Sequence, residues 1–269
     1  MTYEEKCTII FKKIKEEKPL VHHITNFVVI NDNANTMLAI GALPVMSYAR
    51  EEVEEMVALS QALVLNIGTL TPEIVESAIL AGRKANELGI PVVLDPVGAG
   101  ATQFRTESAL KILQEVKISI LRGNTGEIGN LLGIKAEVRG VEGGVVVDAD
   151  TSDLAQRASQ KFQTVVAITG KIDVVSDGKR VVKIKNGDIL LTRITGTGCM
   201  ATSLCAACAA VERDYLWAAS SALGFLGVCG EIAARHSLGP GSFRVSLFDT
   251  FYGIKKEELK ALLSLEVKD

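Results

Sequence analysis

Ile194-Thr195-Gly196-Thr197-Gly198-Cys199, running into Met200-Ala201-Thr202-Ser203-Leu204-Cys205-Ala206-Ala207-Cys208, is the stretch on which the reading of this chain turns. Two glycines one residue apart leave backbone N–H groups unobstructed at the start of a long run of small and apolar residues, and a helix that begins this way offers an anion site. The preceding Asp188-Ile189-Leu190-Leu191-Thr192 reads as a strand, so the segment predicts strand, glycine turn and buried helix in succession. Glycines so spaced also permit tight strand-to-helix packing with no ligand, and the turn by itself does not separate the two readings.

Outward from this turn the chain alternates. A Thr2 to Glu5 capping box opens an amphipathic helix reaching Glu16, followed by extended Leu20-Val21-His22-His23-Ile24 and a buried helix over 27–40. Strands at 62–66, 91–95, 118–121 and 165–169 interleave with helices at 72–88, 107–115, from 125, and 152–161. Thr71-Pro72 supplies an N-cap followed by proline at the first helical position. This is the pattern of an α/β fold whose mostly parallel central sheet is covered by helices on both faces. Asp177-Gly178 between 174–176 and 180–184 predicts a hairpin, so the late sheet gains antiparallel strands, and the last third reads as helical.

Composition narrows the function classes. With 269 residues, of which 48% are hydrophobic, the chain has enough apolar content for one α/β domain over 1–269. A net charge of −3, with lysines and arginines scattered through helices, excludes the electrostatic footprint of a nucleic-acid binder. The N-terminus is charged rather than secretory in pattern, and the apolar stretches 196–211 and 216–230 are too short or too interrupted to span a bilayer, so a cytoplasmic protein is expected. Four of five cysteines fall in this apolar region, which suits reduced core thiols; Cys205-Ala206-Ala207-Cys208 lacks a second pair and lies in the expected helix.

In open α/β sheets the ligand crevice lies beyond the carboxyl ends of the strands. The polar residues there are Asn26, Asn66 with Gly68, Asp95 before Pro96-Val97-Gly98-Ala99-Gly100, Arg122 with Asn124 and Glu127, Thr169-Gly170, and the glycine turn. Each has a purely structural reading: Asp95-Pro96 as a turn, Asn124-Thr125 as a helix cap, Glu127 as a favourable charge at a helix start. Together, an anion turn, a cation at Arg122 and carboxylates at Asp95 and Glu127 are the parts that phosphoryl transfer from a magnesium nucleotide requires. Neither the P-loop signature nor the protein-kinase set occurs in the chain.

On His22-His23-Ile24-Thr25-Asn26, Asp95-Pro96-Val97-Gly98-Ala99-Gly100, Arg122-Gly123-Asn124-Thr125-Gly126-Glu127, Ala167-Ile168-Thr169-Gly170 and Thr195-Gly196-Thr197-Gly198-Cys199, the chain resembles the hydroxyethylthiazole kinases of thiamine salvage, members of the ribokinase-like group. The resemblance implies ATP-dependent phosphorylation of 5-(2-hydroxyethyl)-4-methylthiazole. It implies the thiazole near Asn26, Met46, Gly68 and Gly196 with its hydroxyl toward Cys199, ATP near Arg122 and Thr169, and Mg2+ at Asp95 and Glu127. The backbone from Gly196 through Thr197 and Gly198 to Cys199 would face the phosphoryl group, and the family implies a homotrimer with active sites at subunit interfaces.

Many ribokinase-like enzymes carry aspartate where this chain has Cys199. A thiol at a helix N-terminus has a lowered pKa, so some thiolate near neutrality is the expectation here. Neighbouring His22 and His23 on an extended strand point to opposite faces and do not converge on one ion. Two rivals stay open on sequence alone: a kinase of the same fold for another small alcohol, such as hydroxymethylpyrimidine, and a catalytically silent thiazole or nucleotide sensor.

Overall fold

A computed structural model describes residues 2–134 and 151–268. Among these the sheet has nine strands: β1 (Leu20–Ile24), β2 (Leu43–Met46), β3 (Ala62–Asn66), β4 (Val92–Asp95), β5 (Ile120–Asn124), β6 (Val165–Thr169), β7 (Asp173–Ser176), β8 (Val181–Ile184) and β9 (Leu265–Lys268). Their order is β2-β1-β3-β4-β5-β6-β7-β8-β9, parallel from β2 to β6 and antiparallel from β6 to β9. Strands such as β3, whose five residues Ala62-Leu63-Val64-Leu65-Asn66 are all buried, are apolar on both faces because helices cover both.

Alternation along the strands feeds two cores. Val64, Val93, Ile120 and Ala167 face one side, where they pack with α1 (Tyr3–Glu17), α2 (Ile30–Ile40), α8 (Thr197–Val211), α9 (Tyr215–Arg235), α10 (Pro240–Gly253) and α11 (Lys256–Leu262). Leu63, Leu65, Leu94, Leu121 and Ile168 face the other, against α3 (Val53–Ala58), α4 (Pro72–Glu87), α5 (Gln103–Glu115), α6 (Thr125–Leu131) and α7 (Thr151–Phe162). The small residues of α8 let it approach the sheet closely, and Met200 through Ala209 are all buried. α9 is long and apolar enough to cross a membrane, yet 89% of its apolar window is buried, as a core helix requires.

The elements differ from expectation at several points, among them α3, which was not expected, and α2, which begins at Ile30 rather than Phe27. Residues 188–192, expected as a strand, form a 3-10 turn over Ile189–Thr192: Asp188 Oδ1 accepts the Leu190 N–H at 2.8 Å, and the sheet edge beyond β8 is taken by β9. β9 and β2 were not foreseen; β2 is a four-residue edge strand containing Pro44, which an unpaired edge tolerates. The strand expected at 118–121 lies instead at Ile120–Asn124, which carries Arg122 and Asn124 into the sheet itself.

The register aligns the chemistry. Asn66 stands beside Asp95 and Asn124 beside Thr169 at the carboxyl end of the sheet, and the N-terminus of α8 arrives at the same edge.

Candidate active site

The glycine turn is held open from both sides. Gly196 caps α8 with φ of 89°, a left-handed conformation, and a Cβ there would lie 2.5 Å from Val29 Cγ1, so both backbone and space demand glycine. A Cβ on Gly198 would lie 2.6 Å from Nη1 of Arg122. Thr197 Oγ1 donates to Leu191 O at 2.9 Å and anchors the turn, while the N–H of Met200 bonds to Gly196 O at 2.8 Å, leaving the preceding amides at the open end of the helix.

Arg122 is 8% exposed and donates through Nη2 to Thr169 Oγ1, with Nη1 3.6 Å from Asp95 Oδ2. Asp95 is wholly buried. Its Oδ2 also accepts from Asn66 Nδ2 at 3.0 Å and from Thr202 Oγ1 at 2.7 Å, whereas its Oδ1 has no hydrogen-bond partner. Glu127 accepts the Gly98 N–H at 2.9 Å through Oε1 and the Asn124 N–H at 2.8 Å through Oε2, and Asn124 Oδ1 in turn accepts the Glu127 N–H at 2.9 Å. The structural reading of Asn124 and Glu127 as a cap is therefore realised, and the same capping box fixes the Glu127 carboxylate at the carboxyl end of β5.

Burial, followed by the charge of Asp95, pushes the Glu127 carboxyl up to about 7, against the pull of Arg122 and of the two N–H donors. Burial also raises Asp95, with Arg122, Thr202 and Asn66 opposing. Two buried carboxyls against one guanidinium leave a site short of positive charge, and the unpartnered Oδ1 of Asp95 is a hard oxygen donor within it. Among the described residues no group of three or more His, Cys, Asp or Glu is placed to hold a metal. The unpartnered Asp95 oxygen beside the Glu127 carboxylate would fit a hard cation such as Mg2+ that completes its shell with waters and phosphate oxygens.

On the neighbouring strands an amide network leads to Cys199. Asn26 Nδ2 donates to Asn66 Oδ1 at 3.0 Å and to Cys199 Sγ at 3.2 Å, and Asn66 Nδ2 donates to Asp95 Oδ2 and to Cys199 Sγ, the latter at 3.3 Å. Asn66 Oδ1 also accepts the Gly68 N–H at 2.9 Å. Gly68 lies flush on Asn26, whose Cβ is 2.8 Å from where a Gly68 Cβ would stand. Met46 ends β2 at the same edge, half-buried and paired in register with His23.

The expected thiolate is not found. Burial and then the negative charge of Asp95 push the Cys199 thiol up to about 11, outweighing the two amide donors and Arg122, so at neutral pH it is a thiol whose sulfur accepts two N–H bonds. The histidines diverge as anticipated: His22 Nε2 pairs with Ser47 O at 2.8 Å and His23 Nε2 with Ser203 Oγ at 3.1 Å.

The structure thus brings Asn26, Gly68, Asp95, Arg122, Glu127, Thr169 and the turn from Gly196 to Cys199 to one edge of the sheet. Sequence reasoning noted Asn66 only as a strand-end polar residue, yet it joins Asn26, Gly68, Asp95 and Cys199. Thr202 was missed among small core residues; its signal was a position one turn after Gly198, on the helix face that meets Asp95.

Residues 11–257 match the Hydroxyethylthiazole kinase family. The chain is 51% identical over 261 residues to a hydroxyethylthiazole kinase of Chloroflexus aurantiacus, covering 97% of each. A solved structure of a hydroxyethylthiazole kinase protein from Pyrococcus horikoshii OT3 superposes with a TM-score of 0.90 at 45% identity, covering 98% of this chain and 99% of that one. The pyridoxal kinase from Staphylococcus aureus, solved with pyridoxal, superposes with a TM-score of 0.62 at 15% identity over 93% of this chain and 98% of that one, a likeness of fold alone.

Proposed function

Because the chain belongs to the hydroxyethylthiazole kinase family, with its ribokinase-like fold, and is an ATP-dependent alcohol kinase, we propose a division of labour among its own residues. The thiazole alcohol lies against Asn26, Met46, Gly68 and Gly196 with its hydroxyl toward Cys199. ATP lies along Arg122 and Thr169, its terminal phosphoryl on the amides of Gly196, Thr197, Gly198 and Cys199. The observation that carries this reading is the convergence of the Arg122 guanidinium on the first turn of α8, where a Gly198 Cβ would be 2.6 Å from Nη1. Two sources of positive charge, one fixed dipolar and one ionic, then meet the same phosphoryl group.

Asp95 and Glu127 would hold Mg2+, which when bound neutralises phosphate charge and orients the transferring group. Gly98 and Asn124 keep the Glu127 carboxylate in place, and Asn66 and Thr202 do the same for Asp95. Cys199 orients the acceptor. With its sulfur accepting from Asn26 and Asn66, its S–H is the group left to meet the substrate oxygen, and a loose transition state lets the hydroxyl keep its proton until the bond to phosphorus is well advanced, when the proton passes to an oxygen of the transferred phosphoryl group.

A single kinase domain spans 1–269, and a cytoplasmic setting suits five free cysteines. Exposed Phe27, Val28 and Tyr48 beside Asn26 and Ser47, together with the open edge of β2, support a homotrimer in which a neighbour covers the acceptor end.

Product formation by mass spectrometry, with Mg2+ and after chelation, alongside light-scattering mass over a dilution series, tests these points. Phosphate ester formed only with the metal and activity lost together with trimer mass are the expected results. Full transfer after chelation contradicts the roles of Asp95 and Glu127, and a fully active monomer contradicts the interface site.

A further inference from the structure

Arg105 is the third residue of α5, at the helix end where a positive side chain is disfavoured by the peptide dipoles. Among the described residues no carboxylate pairs with it. Instead its guanidinium donates to three backbone carbonyls: Nη1 to Ile67 O at 2.9 Å and Val97 O at 2.8 Å, and Nη2 to Gly68 O at 2.8 Å. These carbonyls belong to two different loops, one following β3 and one following β4. Gly98, with φ of 75°, packs against the stem of the same side chain, where a Cβ would lie 3.0 Å from Arg105 Cδ. One planar fork therefore ties the Asn66 to Gly68 loop to the Asp95 to Gly98 loop.

We propose that Arg105 is a positioning residue that sets the acceptor alcohol relative to the phosphate end. The inference rests on the kinase reading above and names a residue that reading does not use. On one side of the clamp, Gly68 and Asn66 carry the acceptor network; on the other, Gly98 supplies the N–H that holds Glu127. Among the described residues Arg122, Thr169 and the turn of α8 receive no hydrogen bond from Arg105, and Glu127 keeps the Asn124 N–H as a second donor if the Gly98 loop shifts. Its removal should therefore loosen the alcohol's seat more than the nucleotide's, because small errors in the approach of reacting atoms are costly in rate.

Steady-state kinetics on the full chain test this with Arg105→Ala and Arg105→Lys, varying hydroxyethylthiazole and ATP separately and checking folding by circular dichroism and thermal melts. The expected result for Arg105→Ala is a KM for the alcohol raised about tenfold and a lowered kcat, with KM for ATP within about twofold of the parent. Arg105→Lys, a point donor unable to reach three carbonyls at once, should fall between. Equal rises in both KM values, or an alcohol KM within about twofold of the parent, overturn the assignment. If the alanine variant does not fold, the lysine variant decides on the same ratio. A parent chain that does not phosphorylate the alcohol overturns the kinase reading and this inference together, whereas a competent parent with unmoved variants overturns this inference alone.

Discussion

Gly198 and Arg122 face each other so closely that one methyl group on the glycine would lie 2.6 Å from the guanidinium Nη1. The far end of a long side chain ordinarily moves aside at little cost. Here it is buried and held by Thr169 and Asp95, so moving it means breaking those contacts.

Gly198→Ala should therefore leave a folded chain with a damaged phosphate end. We expect kcat to fall on the order of 10²-fold, the size seen when one transition-state donor is displaced, with only a few degrees lost in Tm. Steady-state kinetics and a thermal melt check this. A folded variant with the parent kcat contradicts the packing argument.

Arg122→Ala should cost about 2–4 kcal/mol of transition-state stabilisation and should also strip Asp95 of its cation. Kinetics with stability measured in parallel separate the two effects. A stable variant with unchanged kcat removes Arg122 from the site.

Cys199 tests positioning against proton transfer. A neutral thiol that only orients the hydroxyl predicts that Cys199→Ala slows single-turnover transfer by about tenfold or less while ATP affinity is unchanged. Cys199→Asp would place a stronger proton acceptor where the amides of Asn26 and Asn66 already donate, and should retain or raise turnover. A loss beyond about 10³-fold in the alanine variant contradicts the orienting role, since general bases contribute on that scale.

His23 gives a pH signature of stability. Burial lowers its pKa from 6.5 to about 4, so between those values the unfolded chain binds a proton that the folded chain does not. Stability is therefore full above the unfolded value and declines as pH falls toward the folded one, by about 2 kcal/mol at about pH 5. Urea denaturation at about pH 7 and pH 5 measures the difference, and His23→Asn should reduce it. An equal pH dependence in parent and variant rules out His23 as its source.

Much of the fold was legible because its signals are local. Thr71-Pro72 announces α4, uninterrupted apolar runs mark β3 and β4, and Asp177-Gly178 marks the hairpin of β7 and β8. What failed depended on pairing at a distance. Nothing within 188–192 says that β9, some seventy residues later, takes the place beside β8, and β2 is too short to stand out without its neighbour β1. The site divides the same way. The glycine turn, Arg122, Asp95 and Glu127 carry recognisable motifs, whereas the roles of Asn66, Thr202 and Arg105 arise from contacts across 29, 107 and 38 positions of chain. The raised thiol of Cys199 is a further case, since a helix start is visible in sequence but the burial that overrides it is not.

The chemistry of this site is delivery of the terminal phosphoryl group of ATP to the hydroxyl of 5-(2-hydroxyethyl)-4-methylthiazole. ADP release coupled to detection of the phosphate ester, run side by side with hydroxymethylpyrimidine as acceptor, tests it most directly. One ester per ADP is expected with the thiazole, at a kcat/KM about 10²-fold or more above that for the pyrimidine, since a pocket built for one acceptor penalises the polar mismatch of the other. Equal or reversed kcat/KM values, or ADP release without ester, would contradict it.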